Sequence, residues 1–297
     1  MKRYDMDKKK NWLIYALATT ITWGVWGAFS EIPVKRFDFP STLVYVVWAI
    51  SMIPCAIIAL HNIHWKLDVR GRTVWLGMAT GLLGAGGQLI LFQALRQGPA
   101  YIIFPIVSLS PIVTILMSVI ILKERVKGWS WLGIVLAIIT LFCFAYQSGD
   151  GNPAAKGYGW LIMAILVFIA WGLQAFIMKV ANNHSPDAES IFAYMAISGL
   201  LLIPASLSMT DFSQPINYGF TGPYLTFIIQ ILNAIGALYL VYATRYGKAM
   251  VVSPLANACA PVLTVIISLV MYHTMPPAIQ IIGIITAVAS MLILSKE

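Results

Sequence analysis

One stretch of this sequence occurs twice. Residues 87–118 recur in recognisable form in the second half of the chain. The pairs that lie 149 positions apart are Gly87 and Gly236, Ala94 and Ala243, Arg96 and Arg245, Gly98 and Gly247, Ala100 and Ala249, and Pro105 and Pro254. After one inserted residue the match continues at a spacing of 150, with Pro111 and Pro261, Thr114 and Thr264, and Ser118 and Ser268. Proline and arginine are rare inside apolar segments, so the pattern predicts two copies of one unit, residues 1–147 and 148–297.

Composition places both units in a membrane. Hydrophobic residues make up 60% of the chain, charged residues 10%, and the mean hydropathy is +0.83, which leaves too little polar surface for a water-soluble globule. A helix that crosses the hydrocarbon core needs about 20 mostly apolar residues. The sequence therefore predicts an all-α integral membrane protein with ten transmembrane helices, near residues 11–30, 40–60, 73–95, 99–122, 129–147, 158–178, 189–208, 221–243, 249–271 and 277–295.

The basic residues predict the orientation of these helices. If the amino terminus is cytoplasmic, 15 of the 19 Lys and Arg residues fall in segments on the inner side. This bias favours a protein of the cell inner membrane with both termini in the cytoplasm. It also explains the net charge of +8 without nucleic acid, for which the sequence offers no basic surface with interleaved aromatic residues.

Five helices per unit is an odd number, so the second unit enters the membrane from the opposite side. The chain is therefore predicted to consist of two inverted five-helix repeats. Inverted repeats are the construction of many secondary transporters, which bind substrate near the midplane where the halves meet.

The same residues carry a resemblance to a known family. Trp23-Gly24 in the first helix is echoed by Trp171-Gly172 in the sixth, and the passage from Gly98 to Pro111 ends at Lys123-Glu124-Arg125. In these features the chain resembles the ten-helix, EamA-type members of the drug/metabolite transporter superfamily over essentially its whole length. The resemblance implies membrane transport and leaves the substrate open, among amino acids and other metabolites, sugars and lipid-linked carriers. The second copy ends at Tyr272-His273-Thr274, without the acidic residue common there in the family.

Three pairs of helices offer candidate substrate-binding residues. Trp26 and Ser30 lie on one face of the first helix, and Trp171 and Gln174 lie at the matching positions of the sixth. Amide side chains in hydrocarbon need partners, which makes Gln88 and Asn233 on the third and eighth helices candidates for contact with a polar solute. The remaining candidates are Ser108 on the fourth helix and Asn257 on the ninth.

Prolines mark the fourth and ninth helices. Pro105 and Pro111 lie in the fourth and Pro254 and Pro261 in the ninth. A proline inside a helix removes one backbone hydrogen bond and bends the axis. Irregular backbone within a membrane is tolerated where it lines a cavity, so these prolines are predicted hinges.

The sequence argues against an enzyme. The nearest cluster of reactive groups is His61, His64, Asp68 and Arg70 in one loop, too sparse for a metal site, and no glycine-rich nucleotide motif occurs. We expect no cofactor and no metal. A coupling proton or sodium ion remains open, and Glu31 near the end of the first helix could carry a proton or pair with Lys35.

The expected function is export of small organic metabolites, amino acids first, by alternating access. A sugar importer or a flippase of lipid-linked substrates with the same fold stays open as an alternative. Ten helices suffice to enclose one path, so we expect a monomer or a weak homodimer in the lipid bilayer.

Overall fold

The computed structural model describes residues 12–30, 32–97, 106–107, 109–145, 159–272, 278–294 and 296. Within these residues the secondary structure is helical, with no strand, and a π-helical turn at Phe220–Tyr224 precedes the helix that begins at Leu225. The helices are α1 (Trp12–Phe29), α2 (Ile32–Phe37), α3 (Ser41–Asn62), α4 (Gly71–Gln97), α5 (Pro111–Ile120), α6 (Ser130–Ala145), α7 (Gly159–His184), α8 (Glu189–Leu201), α9 (Ile203–Ser208), α10 (Leu225–Tyr246), α11 (Ala249–Tyr272) and α12 (Ala278–Leu294).

Among the described residues, six helical segments are long and apolar enough to cross a membrane. They are Trp12–Val34, Ser41–Asn62, Gly71–Leu91, Gly159–His184, Glu189–Ser208 and Phe220–Tyr246. Four shorter apolar helices fall in the other predicted stretches, at Pro111–Ile120, Ser130–Thr140, Ala249–Thr264 and Ile281–Leu294. A helix satisfies its own backbone groups, which is why it is the form in which an apolar chain can cross lipid. The prediction of an all-helical, multi-pass membrane protein is thereby confirmed.

The two halves exchange their first helices. Helix α1 of the first half packs on α10 and α11 of the second, and α7, the corresponding helix of the second half, packs on α4 and α5 of the first. The last helices of the halves, α6 and α12, pack on each other, where Thr140 and Thr286 share a hydrogen bond of 2.9 Å between their Oγ1 atoms. Each half therefore contributes to the other's packing, and the interface between halves runs along α1 and α7.

Small residues allow the helices to approach closely. Along the contact of α4 with α8, a Cβ placed on Gly77 would come within 2.8 Å of Tyr194, and one placed on Gly81 within 2.6 Å of Ser198. Ser198 donates a hydrogen bond of 3.1 Å from Oγ to the backbone oxygen of Met78 on the facing helix. Glycine and serine at such positions bring two backbones together without a hydrophobic driving force, as helix pairs in lipid require.

Candidate functional site

Three indole rings converge on two amide side chains of α10. Gln230 and Asn233 lie one turn apart on the face of α10 that packs against α1 and α3. Trp26 Nε1 of α1 donates to Gln230 Oε1 at 3.0 Å, and Trp48 Nε1 of α3 donates to Asn233 Oδ1 at 2.8 Å. Trp23 Nε1 donates to the backbone oxygen of Asn233 at 3.2 Å. The structure thus brings predicted residues Trp26 and Asn233 into one group, which we call the indole–amide group (Trp23, Trp26, Trp48, Gln230 and Asn233).

A matching arrangement occupies the equivalent pair of helices, α7 of the second half and α4 of the first. Trp171 Nε1 of α7 donates to the backbone oxygen of Gly84 on α4 at 3.2 Å. Gly84 lies 149 positions before Asn233, and Trp171 lies 148 positions after Trp23. Gln174, one turn beyond Trp171, lies against α4, since a Cβ placed on Gly84 would come within 2.4 Å of Gln174 Nε2. Predicted residues Trp171 and Gln174 therefore lie together on the contact between α7 and α4.

Two threonines fasten these helices in equivalent ways. Thr114 Oγ1 of α5 donates to the backbone oxygen of Gly172 at 2.9 Å, and Thr264 Oγ1 of α11 donates to that of Gly24 at 2.9 Å. Both glycines follow the tryptophans of the repeated Trp-Gly pair. The hydroxyl hydrogen bonds let α5 and α11 lie close against α7 and α1, each in the other half of the chain.

The other predicted site residues have local partners or none in the described part of the chain. Ser30 Oγ donates to Gly27 O at 3.1 Å and Asn257 Nδ2 to Ser253 O at 2.8 Å, each within its own helix or just past its end. Gln88 is half-buried on α4. Ser108 lies outside the described residues, as do Glu31 and the side chain of Lys35. Among the described residues, no hydrogen bond joins the indole–amide group to Trp171, Gln174 or Asn257.

The prolines are placed differently in the two halves. Pro111 is the first residue of α5, where a proline has no intrahelical hydrogen bond to lose. Within the predicted span 99–122, residues 106–107 are also helical, and residues 99–105 and 108 lie outside the described part of the chain. In the second half α11 runs without interruption through Pro254 and Pro261. Pro105 lies outside the described residues.

Three members of the indole–amide group were not among the predicted site residues, and they are Trp23, which the sequence marked only as part of the repeated Trp-Gly pair, Trp48 and Gln230. Trp48 has no aromatic counterpart at the matching positions of the second half, Ala196 and Ile197, so the repeat carried no signal for it. Gln230 stands on the same face of α10 as Asn233, but its first-half counterpart is Gly81, which drew attention to helix packing. The usable signal was the spacing of three residues between Gln230 and Asn233, because two amides on one face of an apolar helix both need partners.

A second polar network lies at the other end of α10. Lys179 Nζ of α7 donates to the backbone oxygens of Thr244 at 2.9 Å and Gly247 at 2.5 Å. Arg245 donates to the backbone oxygens of Asn182, Ser185 and Pro186. These charged groups cap the carboxyl ends of α7 and α10, where unpaired carbonyls attract cations.

The carboxylate of Glu124 lies at the start of α11. Its oxygens accept hydrogen bonds from the backbone N–H groups of Ala249 at 3.3 Å and Met250 at 3.2 Å. A negative charge is stabilised there by the exposed N–H groups of the first turn. Glu124 thus connects the loop between α5 and α6 of the first half to α11, the ninth predicted span.

The side chains that could bind a metal ion are scattered among the described residues. These residues contain no group of three or more His, Cys, Asp or Glu side chains that could hold a metal ion. The cysteines Cys55, Cys143 and Cys259 are buried and form no disulfide.

Comparison with known proteins identifies relatives of both halves. The model of the EamA-like transporter family matches residues 10–146 and, separately, residues 158–296. The chain is similar to the pseudopaline exporter CntI of Pseudomonas aeruginosa, at 24% identity over 252 residues, which are 84% of this chain and 83% of CntI. It is also similar to protein LicB of Haemophilus influenzae, at 24% identity over 211 residues, 68% of this chain and 70% of LicB.

Two further similarities concern architecture. An uncharacterized protein of Methanocaldococcus jannaschii, MJ1333.1, is 30% identical over 136 residues, which are 46% of this chain and 97% of that protein. A crystal structure of a protein with 15% sequence identity superposes with a TM-score of 0.74, over 95% of this chain and 96% of that one. The first match equates one whole relative with about one half of this chain, and the second shows a shared fold.

Proposed function

Because the chain belongs to the EamA-like transporter family, we propose that it is a secondary transporter that moves small organic metabolites by alternating access between two inverted halves. The family places the protein among membrane transporters. The observation that carries the proposal further is the indole–amide group, in which polar side chains from α1 and α3 of one half meet α10 of the other within apolar helices.

Equivalent contacts support the inverted arrangement of ten spans. Trp23 and Trp171 donate to backbone oxygens of residues 149 positions apart, and Thr264 and Thr114 donate to the glycines that follow those tryptophans. The relative from Methanocaldococcus jannaschii, which matches about half of this chain over nearly its whole length, supports a unit of five helices. With an odd number of helices per unit, the second unit is inverted relative to the first, and the boundary lies near residues 147–148.

The distribution of basic residues supports the orientation. We place both termini in the cytoplasm and the protein in the cell inner membrane, since 15 of the 19 Lys and Arg residues then lie on the inner side. In this orientation Lys179, Arg245 and Glu124 lie at the cytoplasmic ends of their helices. The contact of Glu124 with α11 joins the two halves on that side, and the contacts of Lys179 and Arg245 join α7 to α10 within the second half.

Amino acids and similar solutes are the proposed substrates, and export is the proposed direction. Indole rings offer surfaces to an apolar portion of a solute, and amides offer hydrogen bonds without ionisation. The relative CntI is an exporter by name. The driving force is a coupling ion, a proton or sodium, or the gradient of the solute itself.

Counterflow in proteoliposomes tests the proposal. Vesicles loaded with one unlabelled metabolite are given a trace of labelled amino acid outside, and uptake is compared between the wild type, Trp171→Ala, Gln230→Ala and Asn257→Ala. Trp75→Ala and Gln214→Ala are matched controls, because both side chains are exposed outside the proposed site. Uptake that is lost in Gln230→Ala and Trp171→Ala and kept in the controls supports the carrier and its site.

Two other outcomes would change the proposal. Uptake unaffected by all three site variants would keep a carrier and remove the site from the contact between the halves. The absence of uptake for every amino acid, with active uptake of sugars or movement of lipid-linked solutes, would assign the chain to the alternative functions of its fold.

A further inference from the structure

The hydrogen bonds of the indole–amide group fix the orientation of both amides. An indole Nε1 can only donate, so the atom that it meets at 2.8–3.0 Å must be an acceptor. The oxygen of each amide therefore points to its tryptophan, Gln230 Oε1 to Trp26 and Asn233 Oδ1 to Trp48. The NH₂ groups of Gln230 and Asn233 must then point away from the rings.

These NH₂ groups have no acceptor among the described residues. Neither Gln230 Nε2 nor Asn233 Nδ2 donates a hydrogen bond there, although each carries two N–H groups. Among the described residues, four side-chain nitrogen or oxygen atoms are buried and have no hydrogen-bond partner. They are Ser118 Oγ, Trp160 Nε1, Asn182 Oδ1 and Ser185 Oγ. The two amide nitrogens are not among them; Asn233 is half-buried, whereas Gln230 is only 3% exposed, so its unused donors lie within the contact of α10 with α1 and α3.

The group has donors to offer and no formal charge. It consists of three tryptophans and two amides, and its oxygens are already engaged. Trp26 and Trp48 are half-buried, so part of each indole ring is exposed. A solute that meets these groups satisfies them when it brings a hydrogen-bond acceptor to the amides and an apolar or cationic portion to the rings.

We propose that Gln230 and Asn233, held by Trp26 and Trp48, recognise an oxygen acceptor on the transported solute, a hydroxyl, carbonyl or carboxylate oxygen. The two amides lie one turn apart on α10, close enough for one acceptor group to receive a hydrogen bond from each. This inference rests on the proposed transport function and names the chemical group by which the carrier selects its solute. Solutes without an oxygen acceptor leave the donors unpaired, which is the basis of strong discrimination in polar sites.

The Gln230→Glu variant exchanges a donor for an acceptor with little change of shape. A glutamate carboxylate still accepts the Trp26 hydrogen bond, and its second oxygen replaces the NH₂ group. The Asn233→Asp variant makes the same exchange one turn away, and Gln214→Glu adds the same charge to an exposed loop as a control. Trp26→Phe removes the N–H that fixes the amide, so that Gln230 is able to present either end.

The test compares three solutes with the same carbon chain, one with a carboxylate, one with a hydroxyl and one amine with no oxygen. Competition in counterflow reports transport, and ligand-induced shifts of the unfolding temperature in detergent report binding separately. In the wild type we expect an oxygen-bearing solute to compete at least about tenfold better than the oxygen-free amine. The carboxylate and hydroxyl arms show which oxygen the site prefers.

The variants separate this inference from transport itself. In Gln230→Glu or Asn233→Asp the preference for oxygen should fall at least about tenfold, in Trp26→Phe it should weaken without reversing, and in Gln214→Glu it should be unchanged. A wild type that binds or carries the oxygen-free amine as well as its oxygen-bearing analogues would overturn the inference while leaving a transporter. The same holds if both acidic variants fold and keep the wild-type preference. Binding of the panel without counterflow would instead contradict the transport function and leave the recognition site standing.

Discussion

The indole ring of Trp23 lies directly against Gly236. A Cβ placed on that glycine would come within 2.4 Å of Trp23 Cδ1 and 2.5 Å of Nε1. Trp171 stands in the same relation to Gly87, where a Cβ would come within 2.5 Å of Nε1. Each ring is also held by a hydrogen bond to the backbone of the helix that it covers. At both places the repeated glycine therefore leaves space for an indole ring that a larger residue would displace.

Gly87→Ala and Gly236→Ala should each destabilise the protein. Alanine favours a helix over glycine by about 1 kcal/mol, but overpacking against a fixed ring costs about 1–3 kcal/mol. Gly86→Ala is the matched control, since nothing lies within 4 Å of a Cβ at that position. Thermal unfolding in detergent should show a lower midpoint for the first two variants and an unchanged or higher one for Gly86→Ala. Stabilisation by Gly87→Ala equal to that by Gly86→Ala would contradict the close contact.

Removing either inter-helix threonine hydroxyl should also cost stability. Thr114→Val and Thr264→Val keep the shape of the side chain and lose the hydrogen bonds to Gly172 O and Gly24 O. Such bonds between helices contribute about 0.6 kcal/mol on average within membranes, and up to about 1.7. Thr20→Val is the control, because among the described residues Thr20 Oγ1 donates only to Ala16 O of its own helix. Since the two sites lie in different helix pairs, the double variant should show the sum of the two losses, as measured by chemical denaturation.

The residues that make equivalent contacts in the two halves could be picked out from the sequence, because they recur at a spacing of 149 or 150 positions. The pairs of Gly87 with Gly236 and Thr114 with Thr264 stood out by their spacing, and each proves to be a contact with the repeated Trp-Gly pair. The presence of helices could be predicted from composition, because the backbone N–H and C=O groups of an apolar chain in lipid must form hydrogen bonds with each other. The role of Pro111 did not follow, since a proline serves equally as a kink or as a first residue, and the structure has it as the first residue of α5.

The partner of each polar side chain could not be predicted from the sequence. Asn257 lies between two prolines, which made it a favoured candidate for substrate contact, yet its NH₂ group bonds to Ser253 O of its own helix. Trp48 and Gln230 meet partners 185 and 204 positions away along the chain. Periodicity gives the face on which a residue lies, but contacts over such distances depend on how the helices of the two halves are arranged.

Glu124→Ala should weaken the connection between the halves. The variant removes the acceptor for the N–H groups of Ala249 and Met250, and loss of such a cap costs about 1–2 kcal/mol. Glu124→Gln keeps one acceptor oxygen but loses the charge, so about half of that loss is expected. Asp211→Asn, in an exposed loop, is the control for loss of a carboxylate. Equal unfolding midpoints for Glu124→Ala and the control would show that the contact contributes nothing.

Acid should release the loop that carries Asp68. The hydrogen bonds from Arg70, with a further one from Thr73, lower the pKa of Asp68 from its ordinary value of 3.8 to about 2. The unfolded loop binds a proton more readily than the folded one, so this contribution to stability is complete above about pH 4 and is lost as the pH falls toward 2. The backbone of Asp68 also bonds to Ser190 Oγ and Tyr194 OH of α8, so protonation should loosen the loop from that helix.

Hydrogen exchange of residues 63–70, corrected for the intrinsic rate, should accelerate across this range in the wild type. Asp68→Asn should remove that pH dependence, and Arg70→Ala should move its midpoint upward. A wild-type loop whose protection is constant from pH 5 to pH 2 would show that the Asp68 carboxylate does not hold it in place.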